Sequence, residues 1–241
     1  MKSPFYYFDM LSAVARKPYV DMMMSELYHY HKNVYFHSIR VAMLSIQIAE
    51  LLGATEPQLY VLAEGAMLYD IGKTKVPVRI LDKAEMLTSE ERERICTHPL
   101  YSYDRIIRVK EEHSPVIEKI ALLHHVYTDG SGYPSAGALP AGTDLFAIPK
   151  EVRVVTVADI FDAMVSARNY RESYSGKVAV QNLYQMVERE KVELDIVQCL
   201  EKLLLNDDLL FDVVKRVEPN VPFDFESGSL TTNPMSDEDD A

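Results

Sequence analysis

Tryptophan is absent from the 241 residues, and cysteine and glycine are scarce, with two and nine copies. Cys96 and Cys199 are too few for a disulfide framework and are not spaced as a zinc knuckle, so two free thiols in a reducing compartment are expected. Long apolar runs are missing too. The most apolar stretch, Val41 to Leu52, is broken by Ser45, Gln47 and Glu50, short of the roughly 20 apolar residues of a membrane span. Asp9 interrupts the N-terminal segment where a secretory signal needs an apolar core, so a cytoplasmic protein without membrane insertion is expected. Positive charge is in deficit: 25 Lys and Arg against 37 Asp and Glu give a net charge of −12, which disfavours polymeric nucleic acid as a partner. Any phosphate ligand must be met by a local basic site.

What remains is the composition of a soluble globular chain, 48% hydrophobic and 26% charged. Helical periodicity dominates, and no window alternates well enough to require a sheet. Apolar residues Val41, Leu44, Ile48, Leu51 and Leu52 recur at spacings of three and four before Gly53, which predicts an amphipathic helix over 37–52. Further helices are predicted at about 56–70, 88–109, 114–125, 150–166, 177–190 and 193–216, with a capping box at Thr88 and Glu91 starting one near Ser89. Residues 128–149, holding Gly130, Gly132, Gly137, Gly142 and three prolines, form the longest irregular stretch and are expected to be a site loop. The division expected is an N-terminal helical extension over 1–30, a main domain over 31–217 and an acidic, disordered tail over 218–241.

Chemistry-bearing residues cluster by type. His37, His98, His124 and His125 lie in or at the ends of predicted helices, and Asp70 and Asp159 lie on two others. Imidazole and carboxylate together suit Fe, Mn or Zn better than Mg, and a bundle turning these groups inward could hold two metals. Asp159 and Asp162 are three apart, so one could bind metal while the other orients a ligand; a cap or a surface ion pair explains the spacing equally well.

The segments Tyr69-Asp-Ile-Gly-Lys73, Leu87-Thr-Ser-Glu-Glu91, Thr97-His-Pro99, His124-His125, Asp129-Gly-Ser-Gly-Tyr-Pro134 and Val157-Ala-Asp-Ile-Phe-Asp-Ala163 together resemble the HD-GYP family, over about His37 to Arg171. The resemblance implies an all-α HD-domain bundle of about seven or eight helices with a long GYP loop. It also implies a metal-dependent phosphodiesterase of cyclic di-GMP, with GGDEF-domain proteins as plausible partners. By position it makes His37, Asp70, His98, His124, His125 and Asp159 metal ligands, with Asp70 bridging. One or two divalent ions would be held, Fe or Mn first and Zn or Ni as alternatives. Lys73, Arg168 and Arg171 would contact phosphates; a solvated lysine and a solvated helix face are the plainer readings of those positions. Tyr133 would line the site or anchor its loop on the core.

The sequence departs from the family at the residue before the bridging aspartate, where Tyr69 replaces histidine. A phenol with a pKa of about 10 does not readily replace a neutral imidazole on a metal, so Tyr69 is expected to fill the space and hydrogen-bond Asp70 or a water. Val126 stands in place of the glutamate that usually follows the paired histidines, and Asn33 in place of the glutamate that supports a third metal. Ala84-Glu85 replaces a proline-glycine turn. The expected function is therefore a degenerate HD-GYP-type domain that binds metal and cyclic di-GMP with weak or absent hydrolysis. The alternatives are an active phosphodiesterase giving pGpG or GMP, with catalysis resting on Asp70 and Lys73, and a scaffold that has lost both ligands.

Overall fold

The computed structural model describes residues 4–145, 147–166, 174–206, 223–224 and 229–230. Eleven α-helices run through them: α1 (Pro4–Ala15), α2 (Pro18–Tyr30), α3 (Lys32–Leu51), α4 (Glu56–Leu68), α5 (Val78–Leu81), α6 (Ser89–Cys96), α7 (His98–Ile107), α8 (Pro115–Leu123), α9 (Lys150–Val165), α10 (Gly176–Glu188) and α11 (Leu194–Asn206). Short 3₁₀ turns occupy Ile71–Lys75 and Ala136–Ala138, and Phe223–Asp224 pairs antiparallel with Ser229–Leu230. The all-α class is as expected. Setting aside α1, α2 and the single-turn α5 leaves eight helices in the bundle proper.

Two local predictions differ in an instructive way. The helix predicted over 88–109 is two helices meeting at Thr97, because Pro99 in the first turn of α7 has no N–H to continue α6. The capping box that starts α6 is present, with Thr88 Oγ1 accepting from Glu91 N at 3.2 Å and the Glu91 carboxylate accepting from Thr88 N at 2.8 Å. Helix α3 is not amphipathic but buried along nearly its whole length, from Val34 to Ala49. Its polar residues Ser38, Ser45 and Gln47 are buried with it, since α1, α2, α4, α9 and α11 all pack around it.

One apolar core joins these helices and includes Tyr7, Met10, Leu11 and Val14 of α1 together with Val20, Met23 and Leu27 of α2. The N-terminal helices thus share the core of the bundle. Two polar ties fasten them to the bundle: Tyr30 Oη donates to Val76 O at 2.6 Å, at the end of the 71–75 turn, and Lys17 pairs with the buried Glu64 of α4 at 2.5 Å. Among the described residues no helix is long and apolar enough to cross a membrane.

Candidate metal centre

Five elements deliver the predicted ligands to one place. His37 comes from α3, Asp70 from the end of α4, His98 from the start of α7, His124 and His125 from the end of α8, and Asp159 from α9. Close backbone approach at Gly72 sets the Asp70 turn against α7: a Cβ there would lie 2.1 Å from His98 O, and Gly72 N donates to Ser102 Oγ at 2.8 Å. Thr156 Oγ1 donates to His124 O at 2.8 Å, tying α9 to the end of α8.

The ligand atoms fall into two groups, His98 with His124 and His125, and His37 with Asp70 and Asp159, each within 4.8 Å of one another. In the first group local chemistry fixes how the rings face. Pro99 cannot donate to Ile95 O, and His98 Nδ1 takes that acceptor instead at 2.7 Å. His124 Nδ1 likewise lies 3.0 Å from Ile120 O. With Nδ1 donating in both rings, the two Nε2 atoms carry lone pairs, and they face each other at 3.1 Å. Asp70 Oδ1 lies 3.1 Å from His98 Nε2, is fully buried and accepts no hydrogen bond. Converging lone pairs without a donor between them fit a cation, so this group suits a divalent metal. Burial, with repulsion from His98 when that ring is protonated, lowers His124 to about 4, and burial, with repulsion from His124 when protonated, lowers His125 well below its usual range. Both are neutral near pH 7, the form that ligates.

The second group is already closed by hydrogen bonds. Tyr69 Oη donates to Asp159 Oδ1 at 2.9 Å and lies 2.9 Å from His37 Nε2, which is itself 2.9 Å from Asp159 Oδ1. Of the expected partners, Asp70 or a water, the hydroxyl meets neither Asp70 oxygen and turns instead to Asp159 and His37, while its ring packs edge-on to His124 with centroids 4.7 Å apart. Burial, then the charges of Asp159 and Asp70, push the Tyr69 phenol well above its ordinary value, so it stays protonated. The neutral phenol engages the His37 and Asp159 atoms that a cation bound to this group would also use. Asp70 faces both groups, with Oδ2 4.0 Å from His37 Nε2.

Arg40 and Asp162 complete the second group. Asp162 Oδ2 lies 2.6 Å from His37 Nδ1, and Arg40 grips both carboxylate oxygens, Nε to Oδ1 at 2.8 Å and a terminal nitrogen to Oδ2 at 2.9 Å. Asp162 thus takes the orienting role allowed by its spacing. Sequence reasoning missed Arg40, although it stands three residues after His37 on the same helix face.

Lys73 is not a solvated lysine. Its side chain is 17% exposed and Nζ donates to Asp70 Oδ2 at 2.5 Å, an i,i+3 contact made by the 3₁₀ turn. It also lines a cavity of about 540 Å³ shared with His37, Arg40, Asp162, His31 and Lys83. The Tyr133 ring lies over His125 with centroids 4.3 Å apart, which anchors the glycine-rich loop on the histidines. Gly132 makes that approach possible: its φ is +102°, and a Cβ would lie 2.0 Å from His125 O. Arg168 and Arg171 lie outside the described residues, as does most of the predicted tail.

Comparison with known proteins agrees with the motifs. The cyclic di-GMP phosphodiesterase response regulator RpfG of Xanthomonas campestris is 37% identical over 60% of this chain and 37% of its own length. A cyclic di-GMP phosphodiesterase of Thermotoga maritima is 39% identical over 59% of this chain and 40% of its own. The chain therefore spans about 40% of the length of these relatives. Among solved structures, Bd1817, a HDG"Y"P protein from Bdellovibrio bacteriovorus, superposes with a TM-score of 0.58 at 22% identity over 73% of this chain and 53% of that one, which shows the shared fold. Residues 21–195 match the HD domain family, and the chain belongs to it.

Proposed function

We propose that this chain is a degenerate HD-GYP-type domain that binds a metal and cyclic di-GMP, with weak or absent hydrolysis. The observation that carries the reading is the Tyr69 hydroxyl bonded to both His37 and Asp159, in a site whose other group keeps three histidines and Asp70. His98, His124, His125 and Asp70 would hold one divalent ion, with Fe or Mn favoured by the mixed imidazole and carboxylate set. Such an ion supplies Lewis-acid polarisation of a phosphoryl oxygen when bound. The remaining work falls to the chain's own groups. Lys73 presents an ammonium to the cavity, where it would meet a phosphate of the dinucleotide, and Arg168 and Arg171 would meet the others. Tyr133 holds His125 in place and would line the ligand's path.

The relatives named above carry the dinucleotide assignment, and others such as a 3'3'-cGAMP-specific phosphodiesterase of Vibrio cholerae, 32% identical, widen the ligand class. A cytoplasmic setting suits the two unpaired cysteines, and GGDEF-domain proteins are the partners the HD-GYP resemblance implies. Completeness of the first group favours the second reading, a phosphodiesterase giving pGpG or GMP.

Product chromatography after anaerobic incubation with Fe(II) or Mn(II) separates the two. Wild type should release little or no linear product while binding cyclic di-GMP by calorimetry, and Tyr69→His should raise turnover on the order of tenfold or more. Wild-type turnover abolished by Asp70→Ala and unchanged by Tyr69→His would overturn the degenerate reading and make this an enzyme.

A further inference from the structure

Asp70 divides its two oxygens between unlike neighbours. Oδ1 faces His98 and His124, 3.1 and 3.9 Å from their Nε2 atoms, while Oδ2 accepts the Lys73 ammonium at 2.5 Å. In a two-metal centre a bridging carboxylate has a cation on each side. Here the far side of the bridge has Lys73, and the space beyond it, between His37 and Asp159, has the Tyr69 hydroxyl. We infer that Lys73 supplies the second positive charge of this centre in place of a second metal, so that the site is built for one divalent ion and one ammonium. The inference rests on the metal-binding part of the proposed function.

Three features separate this lysine from a chance ion pair. Asp70 is fully buried, so its charge must be compensated within the protein. Lys73 is held to Asp70 by the backbone as well, with Lys73 N donating to Asp70 O at 2.9 Å in a 3₁₀ turn whose end is fastened by Tyr30 to Val76 O. The ammonium also has three donors, of which Asp70 takes one, and it faces the cavity, so the same charge can serve the bridge and an incoming phosphate.

Metal content and affinity test this without any assay of turnover. Equilibrium dialysis against Mn(II) with elemental analysis should give about one tightly held ion per wild-type chain. Replacing the ammonium by Lys73→Met removes a repelling charge beside the bridge, and Mn(II) should then bind on the order of tenfold more tightly, whereas Lys73→Arg should leave the affinity unchanged. In Tyr69→His, which restores a ligand, a second ion should bind, and adding Lys73→Met should tighten that second ion by a similar factor. Two equally tight ions in wild type would overturn the inference. Equal Mn(II) affinity in Lys73→Met and wild type would also overturn it, as would weaker binding, which marks Lys73 as a merely structural partner of Asp70. Calorimetry with cyclic di-GMP on the same wild-type protein reports separately: failure to bind the nucleotide sinks the ligand assignment and leaves the metal counts to decide the role of Lys73.

Discussion

Asp162 Oδ2 lies 2.6 Å from His37 Nδ1, and the same carboxylate is forked by Arg40. The contact fixes which ring nitrogen of His37 is left to face Asp159 and Tyr69. The three side chains are nearly inaccessible, 11, 1 and 12% exposed for His37, Asp162 and Arg40. Removing the carboxylate by Asp162→Ala breaks the fork on Arg40 and frees the His37 ring, so a loss of about 2–3 kcal/mol in urea unfolding is expected. Asp162→Asn keeps the shape and should lose less.

Gly132→Ala would place a Cβ 2.0 Å from His125 O at a φ of +102°, where two separate costs meet. The left-handed backbone alone costs an L-residue about 1–2 kcal/mol, and the collision must move either the loop or His125. Tyr133, which follows, would lose its seat on the His125 ring. Reduced metal affinity together with a melting temperature lower by several degrees is expected, read by dialysis and by calorimetric unfolding.

Much of this candidate centre is legible in the chain because most of the residues it gathers are single side chains in short motifs at element ends. His98 and Pro99 end one helix and start another, and the paired histidines cap α8, so type and position coincide. Partners drawn from distant elements are less legible. Arg40 and Asp162 are 122 residues apart, and the three-residue step from His37 does not by itself say which of the charged residues of α3, Lys32, Arg40 or Glu50, meets a charged partner on another helix. The same cause misplaces the Tyr69 hydrogen bond: whether the phenol meets Asp70 or Asp159 depends on how α4, α8 and α9 pack, not on the tyrosine's own neighbours. The burial of α3 on all sides is likewise a property of the assembled bundle, since its pattern of apolar residues alone matches a helix with one wet face.

Glu190 follows α10 with φ at +56°, the one non-glycine residue of positive φ among the described residues. The backbone bonds Glu190 N to Val187 O and Lys191 N to Met186 O, both 2.9 Å, form the helix-ending turn that usually carries glycine. Glu190→Gly should therefore stabilise the fold by about 0.5–1 kcal/mol, measured as a raised urea midpoint at constant slope. No change, or a loss, would mean that the glutamate's contacts outweigh its backbone cost.

Acid should destabilise the metal-free protein before its carboxylates titrate. His124 is fully buried, and burial, with repulsion from His98 when that ring is protonated, lowers it from 6.5 to about 4; His125 is lowered in the same direction by burial and by His124 when protonated. A folded-state value below the unfolded one means that the unfolded chain binds the proton first, so stability is intact above pH 6.5 and falls as pH drops toward 4. For His124 alone the fall is on the order of 3 kcal/mol over that window. His37 shifts oppositely: burial lowers it, but the hydrogen bonds to Asp159 and Asp162 win and raise it, so the folded chain binds its proton first. Its contribution is complete below the unfolded value and fades as pH rises through the folded one. Urea unfolding of metal-free protein between pH 4 and 8 should show a steep loss on the acid side, and Mn(II) should widen the gap near neutrality, since ligation requires unprotonated rings. Flat stability between pH 6.5 and 4 would mean that His124 is not held neutral by its surroundings.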